Sequence, residues 1–303
     1  MAGGQERVLR RRIRSVQSTK KITKAMELIA ASQILRSQNR MTANRPYRLG
    51  MARIVVEAAK GDPTAAEKLL GAPENRRKVA VLAIVADRGL SGPYNSSVLR
   101  ATDRLVAELR RGEVETLLFS VGKKGQSYFR FRHEEVARSF VGVSERPTFA
   151  DAREIAAAVA APFVAGEVDE VLLVSTRFRS AGTQEVEVRQ LLPLPDPTAT
   201  ADAAEPAAAT GPAGYTEFEP DVESLLSELA PKAVESEIFT ALLEGAASFF
   251  TAQQRAMAAA SENADELVRT LSRVMNRARQ DAITTEIMEI VGGAEALRHS
   301  KGA

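Results

Sequence analysis

The chain has 303 residues and two histidines. It has no cysteine, and this excludes disulfides, thiolate catalysis and cysteine-bound metals. Its net charge of +2 hides an asymmetry, because residues 1–60 hold 14 Lys and Arg against 3 Asp and Glu, whereas residues 217–303 hold 8 against 15. No run approaches the roughly 18 apolar residues of a membrane-spanning helix, and no secretory signal is expected. A basic end can bind nucleic acid, or it can attract the acidic end of the same chain.

Residues 1–60 predict one long helix. Ala, Met, Leu, Gln, Arg and Lys dominate the segment, and Pro46 is its one proline. Such a helix would be about 80 Å long and could bend near Pro46. Because the basic helical pattern continues to Lys60, we expect no transit peptide. Residues 61–77 contain two glycines and two prolines and predict a linker.

Residues 78–192 predict a Rossmann-like α/β domain. Three short β-branched runs at 78–87, 115–122 and 169–178 alternate with helical patterns. Alternation of this kind indicates parallel strands joined by right-handed crossovers. The run TQEVEVRQLLPL that follows would add an edge strand.

The last third of the chain predicts a loop and a second long helix. Residues 193–214 are rich in proline and alanine and nearly devoid of bulky apolar side chains, which is typical of a flexible loop. Residues 215–303 predict the helix, in which four residues recur at coiled-coil spacing: Leu267, Leu271, Val274 and Ala278.

Two helical ends that flank one α/β domain bury their apolar stripes most economically against each other. The basic residues of the first would then face the acidic residues of the second. We therefore expect an antiparallel coiled coil of the N- and C-terminal helices plus a central α/β domain.

Motifs for chemistry are weak. The stretch DRGLSGPYN, residues 87–95, follows a predicted strand and precedes a predicted helix, a position where a phosphate could bind. It lacks the Walker lysine and the GxGxxG spacing of phosphate-binding loops, so it is better interpreted as a structural turn. His133 has acidic neighbours but no second ligand at helical spacing, so no metal site is expected. The basic helix has no interleaved aromatic residues for base stacking. A nucleic-acid-binding protein remains the alternative function, and a Rossmann-type enzyme the third.

Three stretches resemble the gamma subunit of the F-type ATP synthase. They are RIRSVQSTKKITKAMELIAAS near the start, DRGLSGPYN after the first strand, and NRARQDAITTEIMEIVGGAEAL near the end. The resemblance covers nearly the whole chain and is weakest at residues 61–77 and 193–214. It differs from the family pattern at Ser91-Gly92-Pro93, where a small residue and two glycines are more usual.

The resemblance implies a non-catalytic rotary stalk of the bacterial type. In that family the two long helices turn as a shaft inside a ring of three alpha and three beta subunits, and the α/β domain rests on the ring of c subunits. Proton flow drives the rotation, and ATP is made on the beta subunits. The protein would hold no cofactor, bind no nucleic acid and lie at the cytoplasmic face of the plasma membrane, reaching the membrane through the complex.

The resemblance also implies partner contacts for individual residues. Met26 would lie where the shaft leaves the hexamer. Arg279, Gln280 and Thr284 would meet a loop of the beta subunit. Glu219 would lie near the c ring and the epsilon subunit.

Overall fold

The computed structural model describes residues 2–61, 76–194 and 222–300. A long helix stands at each end of the chain, and strands and short helices alternate between them, which confirms the predicted fold class. In chain order the elements are α1 (Ala2–Gly61), β1 (Lys78–Ile84), α2 (Tyr94–Arg111), β2 (Glu115–Val121), α3 (Lys123–Phe131), β3 (Val136–Phe140), α4 (Phe149–Val164), β4 (Glu170–Phe178), β5 (Gln184–Leu192) and α5 (Val222–Ser300). Within these described ranges no helix is both long and apolar enough to cross a membrane.

The five strands form one sheet in the order β3-β2-β1-β4-β5. Strands β1 to β4 pair in parallel. The predicted edge strand is β5, and it pairs with β4 in the antiparallel direction. The structure adds β3 and α3, for which the sequence predicted no element. Strand β3 has five residues and exposes two of them, so it lacks the apolar run that marks a buried strand.

Strand β1 lies in the middle of the sheet and is buried on both faces. Its residues alternate between two apolar cores, because successive side chains of a strand point to opposite faces. Leu82 and Ile84 join α1, α4 and α5 on one face, whereas Val81 and Val85 join α2 and α3 on the other. The long helices are therefore part of the domain core as well as extensions from it.

Helix α5 is buried all round between Ala241 and Phe250, because α1 and the sheet cover it on different sides. Helix α1 instead buries one stripe, in which burial recurs every seven residues at Thr23, Ala30 and Ser37. This heptad period is the signature of a coiled-coil seam.

Contacts divide the chain into two compact units, one formed by Met1–Ile29 with Gln254–Ala303 and the other by Ala30–Gln253. Helices α1 and α5 each contribute residues to both units. The segment boundaries predicted at residues 60, 77, 192 and 214 stay predictions, and most of the predicted linker and loop lies outside the described residues.

The predicted seam of α5 is partly wrong. Leu271 and Ala278 lie on the less exposed stripe of the first unit, but Leu267 and Val274 are 40% and 45% exposed. The stripe instead passes through small and polar side chains such as Ser261. Small and polar residues do not add to a hydrophobic pattern. The spacing of the large hydrophobic residues therefore predicted a neighbouring face of α5.

Candidate functional site

The first unit pairs the start of α1 with the second half of α5 in an antiparallel arrangement. The Lys20 ammonium lies 2.6 Å from a carboxylate oxygen of Asp265, and the hydroxyl oxygens of Thr23 and Ser261 lie 2.7 Å apart. In this register Ala2, the first described residue of α1, lies level with about residue 282 of α5. Beyond that point α5 continues without α1 beside it.

This free end, residues 283–300, is about 27 Å long at the ordinary helical rise. Five large apolar side chains on it are between 47% and 73% exposed: Ile283, Ile287, Met288, Ile290 and Val291. A cluster of exposed apolar side chains on a single helix marks a surface that another molecule covers. The free end is the candidate partner-binding surface of this unit.

The residues predicted to contact partners fall in two places of this unit. Arg279 and Gln280 are exposed just before the free end, and Thr284 is exposed on it. The Thr284 hydroxyl donates a 3.0 Å hydrogen bond to the Gln280 carbonyl. Met26 is half-buried on α1, about 30 Å along the helices from this group. Glu219 lies outside the described residues.

The charges along α5 correct the expected cause of helix pairing. Residues 217–253 hold eight Asp and Glu against one Lys, whereas residues 254–303 hold seven acids and seven Lys and Arg. The acidic excess therefore precedes the segment that pairs with the start of α1. Pairing there depends on local contacts such as Lys20 with Asp265, while Arg11, Arg12 and Arg14 stay exposed.

In the second unit, the loop DRGLSGPYN is held by its own aspartate. One oxygen of the Asp87 carboxylate accepts hydrogen bonds from the backbone N–H groups of Lys123 and Gly142, and the other accepts from the N–H and the hydroxyl of Ser144. Burial opposes the ionisation of Asp87, but these bonds outweigh it and lower the pKa of its carboxyl. Asp87 thus joins the loops that follow β1, β2 and β3.

The same contacts occupy a possible anion-binding group beside this loop, at the start of α3 and not of α2, the helix that the loop opens. Lys123 is the first residue of α3, and its N–H, which could bind an anion, is already used by Asp87. Arg88 pairs with Glu145 at 2.6 Å. Among the described residues no group of three His, Asp or Glu side chains could hold a metal ion.

A buried ionic cluster in the second unit was missed from the sequence. Glu244 of α5 is 6% exposed, and it lies 3.6 Å from Arg177 of β4 and 3.6 Å from Arg189 of β5. Burial raises the pKa of the Glu244 carboxyl, while Arg189, Arg177 and Arg48 of α1 oppose that rise. A charged residue at helical spacing reads as exposed surface, so no local signal identified this cluster.

Comparison with known proteins connects these features. The family model described as ATP synthase matches residues 5–297. The chain is 46% identical over 298 residues to an ATP synthase gamma chain of Parafrankia sp. (strain EAN1pec), covering 97% of this chain and 98% of that one. It is 47% identical over 298 residues to the gamma chain of Frankia casuarinae, with the same coverage.

Solved structures share the fold. A chain in the rotor-containing structure of the Euglena gracilis mitochondrial ATP synthase (OSCP/F1/c-ring, rotational state 3) aligns with a TM-score of 0.67 at 17% identity, covering 99% of this chain and 97% of that chain. A chain of the Tetrahymena thermophila central stalk and c-ring structure aligns with a TM-score of 0.60 at 24% identity, covering 79% and 99%. From the family model and these close relatives, the chain belongs to the ATP synthase gamma chain family.

Proposed function

We propose that the chain is the central rotary stalk of an F-type ATP synthase and that the free end of α5 is the part that acts on the catalytic subunits. The observation that carries the proposal is the exposed apolar side chains between Ile283 and Val291 in a chain of the gamma family. As a gamma chain it is a non-catalytic subunit, and ATP chemistry takes place on beta.

The ring of alpha and beta subunits is the occupant that fits the free end. A helix without a neighbour offers a narrow apolar cylinder, which a ring can surround on every side. Since Ile290 is 73% exposed and Ile283 is 47% exposed, covering them removes substantial apolar surface from water. A rotating helix also needs contacts that differ around its circumference, because a symmetric shaft could not distinguish three partners.

Polar residues next to the free end supply that difference. Arg279 and Gln280 are neighbours on the helix and both are exposed, so each can donate hydrogen bonds to acidic or polar groups of one beta subunit at a time. A hydrogen bond to a charged group contributes about 1.5 to 3 kcal/mol. That energy shifts a conformational equilibrium of the partner by roughly one to two orders of magnitude. Thr284 continues the same surface.

The remaining contacts follow from the family. Met26 would lie where the helices leave the hexamer, and Glu219 would meet the c ring and the epsilon subunit. The α/β domain would rest on the c ring, and the protein would then lie at the cytoplasmic face of the plasma membrane as a peripheral subunit. Family membership supports this interpretation over a nucleic-acid-binding helix.

Reconstitution tests the proposal. Vesicles that contain alpha, beta, epsilon and c subunits with the rest of the membrane sector, but no gamma chain, should show ATP-driven proton uptake once this chain is added. The double variant Arg279→Ala with Gln280→Ala should assemble normally and lose most of this activity. Arg273→Ala, an exposed arginine on the same helix before the free end, is the matched control and should behave as wild type.

Two results would contradict it. Normal proton uptake by the double variant would remove Arg279 and Gln280 from the contact surface. A wild-type chain that binds duplex DNA or RNA with a steep salt dependence, and that does not restore proton uptake, would favour the nucleic-acid alternative.

A further inference from the structure

We propose that Glu244 is the positioning residue that fixes the sheet to α5, so that a load applied to the α/β domain reaches α5 without slip. The inference rests on the proposed function as a rotary stalk. It concerns contacts inside the second unit, which contains the sheet together with the adjoining parts of α1 and α5.

Apolar packing holds the sheet to α5 but does not fix its register strongly. The core between them includes Ala233, Ala241, Leu242 and Ile238 of α5 against strand residues such as Leu173. Apolar contact is non-directional, so a small displacement exchanges one such contact for a similar one. Resistance to sliding under load needs groups whose energy depends on position.

Glu244 provides such a group. Arginines from two strands of the sheet lie beside its carboxylate, namely Arg177 on β4 and Arg189 on β5. Both pairs are 3.6 Å long, and the carboxylate is nearly excluded from solvent. Charges attract more strongly in such surroundings than in water, and a shift of one helical turn, about 5.4 Å, would separate them.

Each arginine also has a second acidic neighbour, which is Glu187 on β5 for Arg177 and Glu237 on α5 for Arg189. Arg177 also lies 3.8 Å from Glu187, and Arg189 lies 3.6 Å from Glu237 and donates a 3.4 Å hydrogen bond to the Ser175 hydroxyl. Both guanidinium groups therefore keep an acidic neighbour when Glu244 is replaced. The variant Glu244→Gln consequently removes the buried contacts between the sheet and α5, while Arg177 keeps its pair within the sheet and Arg189 keeps its more exposed pair with Glu237 of α5.

The loop after β1 gives the same interface a second contact that depends on position. Tyr94 at the start of α2 is buried against α5, and its ring lies edge-on to Phe249 at a centroid distance of 5.8 Å. Its hydroxyl lies 3.1 Å from the point where a Cβ on Gly245 would stand. Gly245 directly follows Glu244, so the ionic contact and the closest steric contact are adjacent on α5.

The experiment uses the complete ATP synthase in vesicles and measures protons pumped per ATP hydrolysed, first without and then against an opposing proton gradient. Glu244→Gln should hydrolyse ATP at the wild-type rate, because the first unit is unchanged. Against the gradient its ratio of protons to ATP should fall to about half or less, since the sheet slips when loaded. Glu244→Asp, which keeps the charge, should recover part of the ratio.

Glu228→Gln is the matched control, because Glu228 is exposed on the same helix. It should keep the wild-type ratio. If Glu244 has a purely structural role, its replacement should lower complex assembly and the melting temperature. The ratio of protons to ATP should then be unchanged, both with and without the opposing gradient. That result, or a Glu244→Gln ratio equal to that of the control, would overturn the proposal.

Two further outcomes are separable. If Glu244→Gln does not assemble, Arg189→Gln removes the other partner of the pair and should show the same fall in the ratio of protons to ATP under load. An unchanged ratio in Arg189→Gln would refute the proposal about Glu244. If complexes with the wild-type chain pump no protons, the proposed function itself fails. The loss of wild-type activity distinguishes that failure from a failure of the inference about Glu244.

Discussion

Replacing Asp87 by Asn should destabilise the α/β domain by about 2 kcal/mol at neutral pH. Each carboxylate oxygen accepts two hydrogen bonds, to Lys123 and Gly142 on one side and to the two donors of Ser144 on the other. An amide has one oxygen, so its NH2 group must face donors on one side. Two bonds to a charged acceptor, at about 1.5 to 3 kcal/mol each, are then lost. Since Asp87 is only half-buried, solvent can hydrate part of the site, and the net loss falls below the sum for two such bonds, to about 2 kcal/mol.

The effect should depend on pH with a defined sign. The hydrogen bonds lower the pKa of Asp87 in the folded protein below the ordinary value of 3.8. Its contribution is therefore complete above the unfolded pKa and is lost as pH falls through the folded pKa. Urea unfolding of the full chain, followed by circular dichroism and by amide exchange at Gly142 and Ser144, measures the difference. A variant within about 0.5 kcal/mol of wild type at pH 7, or a difference that persists unchanged below the folded pKa, would refute the reasoning.

Two more predictions concern the helix pairing and the sheet. Because the chain has no native cysteine, the double variant Thr23→Cys with Ser261→Cys should form a disulfide within one chain on mild oxidation. The control variant Thr23→Cys with Ser272→Cys is about 16 Å out of register and should not form one. Equal disulfide yields of the two variants in non-reducing electrophoresis would contradict the antiparallel register. Gly122→Ala should destabilise the domain by roughly 3 kcal/mol or more in urea unfolding. The reason is that the φ of Gly122 is +92° and an added Cβ would clash with the Val85 carbonyl oxygen. An unfolding free energy close to that of wild type would show that the backbone relaxes.

Composition and periodicity were sufficient for the architecture. The proline-poor basic segment predicted α1, and the β-branched runs predicted β1, β2 and β4, because each signal lies within a few neighbouring residues. The resemblance in DRGLSGPYN and the terminal stretch then identified the family. Strand β3 was missed because its pairing with β2, and not its own composition, makes it a strand.

The register of the helices and the interior charges depended on the tertiary structure. Leu267 and Val274 match a coiled-coil spacing as well as the residues of the buried stripe of α5 do. Which of the two faces is buried depends on α1, whose contacting residues lie more than 200 positions away along the chain. Glu244 likewise reads as a surface residue until β4 and β5 bring Arg177 and Arg189 against it. A pattern in one helix records which faces can be buried, whereas the face that is buried depends on what packs against it.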